Sequence, residues 1–143
     1  MPTIKVEPDD IIDRLMEVFR TVGYDGATLS KLSKATGLQR ASLYHRFPGG
    51  KKAMAEAVLA HAGAWLDTHV LTPLTGSGTP QARLQKMAEA LDTFYVQGGK
   101  SCLLDSLSFR EGSALFHDHI RTAFAHWIAA LAALVVESTG CPT

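Results

Sequence analysis

Cysteine is nearly missing from this chain, and so are the usual signs of covalent or metal-assisted catalysis. Cys102 and Cys141 are its two thiols, in 143 residues. Their separation fits no metal-binding spacing, and two thiols do not make a disulfide framework. No phosphate-binding glycine loop, nucleophile motif or carboxylate pair placed for acid–base work occurs, so an enzyme is not expected and no cofactor is implied. The N-terminus lacks the apolar core of a signal peptide. The most apolar run, near Ala129 to Val136, is far too short to span a bilayer. A cytoplasmic protein without a membrane partner is therefore expected. Strand-like alternation and internal repeats are also missing, which leaves an all-α chain long enough for one or two small domains.

The most informative absence is that of acid. Residues 28–52 hold six Lys or Arg and one His without a single carboxylate, in a chain whose formal net charge is zero. Residues 61–143 carry five basic and seven acidic groups. One segment is thus built to meet a polyanion and the rest is not, so the whole-chain charge is a poor guide to partners.

Helical periodicity organises the remainder. Pro8 to Val22 predicts a first helix, with Ile12, Leu15, Met16 and Phe19 on one face and Gly23 ending it in a left-handed conformation. Thr28 reads as the N-cap of a second helix reaching about Thr36. Gly37 supplies a turn, and a third helix runs from about Gln39 to Phe47. Leu38 and Leu43 point back toward Leu32 and Phe19 to close a small core. Pro48-Gly49-Gly50 breaks the pattern. A long helix is expected from Lys51 to Leu71, with Met54, Val58, His61, Ala62, Trp65 and His69 sharing a stripe. Thr72 to Pro80 reads as a linker. Another helix spans Gln81 to Val96, with Leu84, Met87, Ala88, Leu91 and Phe94 or Tyr95 inward, and Gly98-Gly99 ends it. A short helix at Ser101 to Phe109 and a long one at Ala114 to Glu137 follow, the latter with Phe116, Ile120, Phe124, Trp127, Leu131 and Leu134 as one stripe.

Two short helices around a glycine, inside an acid-free segment, have the spacing of a helix-turn-helix. A helix entering the major groove needs short or hydrogen-bonding side chains at its exposed N-terminal end and cations toward phosphates. Gln39, Arg40, Ala41 and Ser42 occupy that end. Arg40 suits the two acceptors of guanine and Gln39 suits adenine, while Ala41 and Ser42 keep the backbone close to base edges. Tyr44 and His45 lie further round and can donate to phosphates. Thr28, at a helix start, offers a hydroxyl beside free backbone N–H groups, and Lys51 is placed similarly before the next helix.

The pattern Thr28-x-x-x-Leu32-Ser33-x-x-x-Gly37-Leu38-x-x-x-x-Leu43-Tyr44-His45-x-Phe47-Pro48-x-x-Lys51 resembles the N-terminal DNA-binding domain of the TetR family of bacterial transcriptional repressors. The Leu-Tyr-His-x-Phe run followed by Lys is its most specific part, and residues 8 to 54 are covered. By this resemblance Thr28, Tyr44 and Lys51 match phosphate-contacting positions, and Gln39 to Ser42 match base-reading ones. The family often has Ala where Ser33 stands and Ser or Thr where Gln39 opens the recognition helix. Ser33 is small enough to pack, whereas Gln39 departs from the usual cap.

The resemblance implies residues 1–50 as a helix-turn-helix domain and residues 51–143 as a helical effector-binding and dimerisation domain. It implies a homodimer on palindromic operator DNA, released by a small molecule. Aromatic residues between Trp65 and Trp127 supply material for an apolar chamber. The candidate ligand-binding residues are His61, Trp65, His69, Phe94, Cys102, Phe109, Phe116 and Trp127, with Ser106 and His126 as further polar groups. Gly98 to Leu104 resembles a glycine-cysteine-leucine stretch of an LmrA/YxaF-like subgroup, which implies a lipophilic or aromatic effector. Family members continue past a helix like the last one here, so a C-terminally shortened, incomplete domain is expected.

Three other readings attach to particular residues. His117-Asp118-His119 has metal-binding residue types, but helical neighbours diverge by about 100° each, so a solvated polar face is expected and no metal. Cys102 lacks the signature of a nucleophile and reads as a structural thiol. The alternative to a DNA-binding regulator is a helical small-ligand or protein-binding module without sequence-specific DNA binding.

Overall fold

The computed structural model describes residues 8–95, 102–107 and 110–140, and the described residues form helices and turns with no strand. Helix α1 spans Pro8–Gly26 and buries Ile11, Leu15, Met16 and Phe19. Ile12, expected on that face, is only half-buried; the inward stripe begins one residue earlier. Gly23 interrupts the helix with φ 73° and ψ −177°. Its φ is positive as expected, but its ψ is extended, so it makes a kink and one more turn follows to Gly26. A Cβ at Gly23 would stand 3.0 Å from the Ser106 carbonyl oxygen, a second reason for glycine there.

Helix α2, Leu29–Thr36, is capped by Thr28, whose hydroxyl accepts from the Lys31 amide at 3.2 Å. Gly37 ends it with φ 73° and ψ 9°, and its amide donates to the Ser33 carbonyl. Helix α3, Arg40–Arg46, follows at once. Leu32 and Leu43 are fully buried with Phe19, and each such side chain contributes about 1.5–3 kcal/mol of transfer free energy. Leu38 covers the edge of this core and is half-buried.

Helix α4, Lys51–Leu66, is opened by Gly50, whose carbonyl accepts from the Met54 amide at 3.0 Å. The chain does not stop at Leu71 as expected. A π-helical turn, Asp67–Leu71, leads into helix α5, Thr72–Thr75, inside the expected linker; Pro73 sits in its first turn and Leu74 is buried. Thr72 donates both its amide and its hydroxyl to the Asp67 carbonyl, the latter at 2.7 Å. The wider turn adds a residue and shifts the stripe by one, so Val70 is buried and His69 is exposed. The irregular link is residues 76–79.

Helix α6, Pro80–Phe94, is capped by Thr79, whose hydroxyl accepts from the Ala82 amide at 3.1 Å. Its inward residues are Arg83 and Met87; Leu84 and Ala88, expected inside, are exposed. Helix α7, Leu103–Ser106, is shorter than expected, and helix α8, Arg110–Thr139, is longer. Phe116, Ile120 and Leu134 of α8 are buried as expected, Trp127 and Leu131 are half-buried, and Phe124 is exposed. The Gly98-Gly99 end, with Phe109, lies outside the described residues.

Among the described helices, α8 is long and apolar enough, by length and composition, to cross a membrane. Its apolar stretch is longer than residues 129–136, expected to be far too short to span a bilayer, because alanines extend it. A core helix of a soluble protein meets the same measure.

The chain divides into two compact units. The first comprises residues 1–61 and 101–116, the second residues 62–100 and 117–143. Within the first, α1 packs on α2 and α7, and α2 on α3. Within the second, α6 packs on α5 and the π-helical turn. Val70, Leu74, Met87 and Leu134 form a core there, against which Trp65, Leu66, Leu91, Trp127 and Leu131 pack.

Candidate nucleic-acid interface

The turn between α2 and α3 is held by side chains as well as by Gly37. The Thr36 hydroxyl donates to the Leu32 carbonyl at 2.8 Å and accepts from the Leu38 amide at 3.3 Å. The Ser33 hydroxyl donates to the Leu38 carbonyl at 2.5 Å. Ser33 therefore uses its hydroxyl as well as its small size. These bonds fix where α3 begins relative to α2, which a helix presented to a groove requires.

Gln39 stands at the N-cap of α3 with extended dihedrals and no side-chain cap bond. Gln39, Arg40, Ala41 and Ser42 are all exposed, as are Tyr44 and His45, whereas Leu43 between them is fully buried. The helix thus turns one side into the core and leaves the rest open. Thr28 is exposed, and its hydroxyl oxygen caps α2 while its proton stays free to be donated. Lys34, Arg46 and Lys52 are further exposed cations of the same stretch. Lys52 lies 3.8 Å from Glu56, a solvent-screened pair of little energetic weight.

Two lysines of the segment donate to main-chain carbonyls. Lys31 Nζ donates to the Gly26 carbonyl at 3.2 Å. Lys51 is half-buried; its Nζ donates to the Tyr24 carbonyl at 3.0 Å and stands 4.3 Å from the centroid of the Tyr24 ring. Sequence reasoning missed Tyr24, because nothing local links residues 27 positions apart. Burial raises the Tyr24 phenol pKa above its ordinary value, helped by the charges of Glu111, Asp25 and Glu56.

The candidate ligand-binding residues fall in both units. In the first, Phe116 is fully buried with its ring edge-on to Tyr24, centroids 5.3 Å apart; Cys102 is half-buried; His61 Nε2 lies 3.3 Å from an Asp13 carboxylate oxygen. In the second, Trp65 stacks on His69 and meets Phe94, each at 4.6 Å between centroids. His69 Nδ1 lies 3.1 Å from the Trp65 carbonyl oxygen, and Tyr95 meets Phe94 edge-on at 5.1 Å. Trp127 Nε1 donates to the Met87 sulfur at 3.4 Å. Phe109 lies outside the described residues. His117, Asp118, His119 and His126 are exposed.

Comparison with known proteins agrees with this geometry. Residues 11–58 match the family described as bacterial regulatory proteins, tetR family. The chain is 27% identical over 139 residues to the uncharacterized HTH-type transcriptional regulator YxaF of Bacillus subtilis, covering 91% of this chain and 70% of that one. It is 38% identical over 50 residues to IcaR of Staphylococcus aureus, the HTH-type negative transcriptional regulator of the biofilm operon icaADBC, but spans only 27% of that protein's length. A crystal structure of a candidate transcriptional regulator from Pseudomonas aeruginosa PAO1 shares the fold, with a TM-score of 0.57 at 22% identity, over 93% of this chain and 67% of the other. Residues 11–58 thus carry the helix-turn-helix of the tetR family, and the chain as a whole is similar to helix-turn-helix transcriptional regulators.

Proposed function

We propose that this protein is a ligand-responsive repressor that binds palindromic operator DNA as a homodimer. The observation that carries the reading is the exposed, acid-free start of α3. Gln39, Arg40, Ala41 and Ser42 face solvent together while Leu43 anchors the helix from behind. Arg40 and Gln39 are the base readers, Ala41 and Ser42 permit close approach, and Thr28, Tyr44, His45 and Lys51 hold phosphates. With about four to six phosphates met per copy, affinity falls steeply with salt.

Repression as the sign of control is supported by the negative regulator IcaR among the relatives. Pairing of two copies is supported by the exposed Phe124, Ile128 and Val135 on α8, an apolar row that a second copy would remove from water. Two-fold pairing sets two recognition helices against inverted half-sites. A lipophilic or aromatic effector is supported by the grouping of Trp65, His69, Phe94 and Tyr95 beside the π-helical turn. The effector releases DNA only if it binds the free form more tightly than the DNA-bound form.

Titration of duplexes with the wild type and two variants tests the reading. Arg40→Ala relaxes selectivity at one base pair by about 1–3 kcal/mol. Lys51→Ala weakens all sequences alike. Equal, salt-independent binding of every duplex by the wild type contradicts it.

A further inference from the structure

Tyr24 sits where two sets of contacts meet within the first unit. On one side it holds Lys51, through its carbonyl at 3.0 Å and its ring face at 4.3 Å. On the other it is enclosed by the later segment of that unit. Its ring stacks with Phe19 at 6.2 Å and meets the Phe116 edge at 5.3 Å, and only 5% of the residue is exposed. The Ser106 hydroxyl donates to the Arg20 carbonyl at 2.8 Å, one turn before Tyr24. A Cβ at Gly112 would stand 2.5 Å from the Leu107 carbonyl oxygen and 3.2 Å from the Tyr24 Cβ. With Gly112 and Phe116 packed directly against it, Tyr24 cannot shift without displacing them, and the reverse holds equally.

We infer that Tyr24 is a positioning residue for DNA binding, which seats the Lys51 ammonium and makes its placement depend on how Ser106, Gly112 and Phe116 pack. The inference rests on the DNA-binding reading above. A lysine is a flexible four-carbon stem with a point charge at its end, and it meets a phosphate well only when that stem is ordered beforehand. The Tyr24 carbonyl and ring face both attract the cation and order it. One N–H is used on the carbonyl, which leaves two for a phosphate oxygen. A change in the later segment then reaches a phosphate contact through one side chain.

The test uses the full chain and a fluorescent duplex of random sequence, titrated at several salt concentrations. Lys51→Ala lowers affinity and makes the plot of log affinity against log salt shallower by about one unit. Tyr24→Leu, which removes the ring but keeps the backbone carbonyl and an apolar side chain, shallows it by part of that amount. The Lys51→Ala and Tyr24→Leu double variant loses nothing further. Tyr24→Phe keeps ring and carbonyl, and binds as the wild type does. Gly112→Ala shifts the slope in the direction of Tyr24→Leu and has no effect in the Lys51→Ala background; Ser106→Ala reads the same coupling if Gly112→Ala does not fold. A general loss of the domain would abolish the whole slope and would not be rescued by Tyr24→Phe. If the wild type binds but the Tyr24→Leu and Lys51→Ala losses multiply, or Tyr24→Leu binds as well as the wild type or better, the inference is overturned and the DNA reading stands. A wild type without salt-dependent duplex binding overturns both.

Discussion

The Ser33 hydroxyl donates to the Leu38 carbonyl at 2.5 Å, closing the α2–α3 turn from inside. Because the bond joins the end of one helix to the residue before the next, it ties the recognition helix to its support. Ser33→Ala removes the donor without leaving a void. A loss of about 0.5–1.5 kcal/mol is expected in denaturant unfolding, with retained DNA affinity. Ser33→Leu forces bulk into a half-buried position and costs more, about 1–3 kcal/mol. Equal stability of all three proteins would show that the bond has no net effect.

Arg83 is the second polar fastening, in the other unit. Its Nε donates to the Gly78 carbonyl at 3.1 Å, Nη1 to the Leu74 carbonyl at 3.0 Å, and Nη2 to the Glu137 carboxylate. The Arg83 side chain is 6% exposed and that of Glu137 is 55% exposed. The two partners therefore differ in what their loss leaves behind. Arg83→Met orphans the buried Leu74 carbonyl and is expected to cost roughly 1–3 kcal/mol. Glu137→Gln disturbs a solvent-screened end of the pair and is expected to cost under about 1 kcal/mol. Arg83→Lys does not restore stability, since an ammonium cannot reproduce the three-way fork. Thermal unfolding of the three variants gives the order directly, and a larger loss for Glu137→Gln than for Arg83→Met contradicts the assignment.

Tyr24 gives the fold an alkaline limit. Burial and the Glu111, Asp25 and Glu56 charges raise its pKa above 10.0. The folded state then holds the phenolic proton more tightly than the unfolded state does. This contribution to stability is complete below about pH 10, and it is lost as pH rises through the raised folded value. Tyr24→Phe removes the titration, so its unfolding free energy should fall less steeply above pH 10 than that of the wild type. Parallel slopes in that range would show that Tyr24 ionises equally in both states.

Much of the helix-turn-helix geometry was legible because its causes are local. Thr28 capping, the Gly37 turn and the burial of Leu32 and Leu43 each follow from a few neighbouring residues. What escaped has non-local causes. Arg83 lies inside and Leu84 outside because acceptors beyond its own helix, the Gly78 and Leu74 carbonyls and the Glu137 carboxylate, satisfy the guanidinium, which inverts the expected apolar face. Val70 replaces His69 in the stripe because the π-helical turn adds a residue, and hydrophobic periodicity assumes a constant pitch. Lys51 reads from sequence as a free cation at a helix start, and only the fold reveals that Tyr24 holds it.

Sequence-specific DNA recognition is proposed for the exposed start of α3. Selection of bound duplexes from a random-sequence pool tests it most directly. One motif is expected to be enriched as two inverted half-sites, with the preference at one base pair of each half lost in Arg40→Ala. A pool that shows no enriched motif after selection, or a motif unchanged in Arg40→Ala, would contradict it.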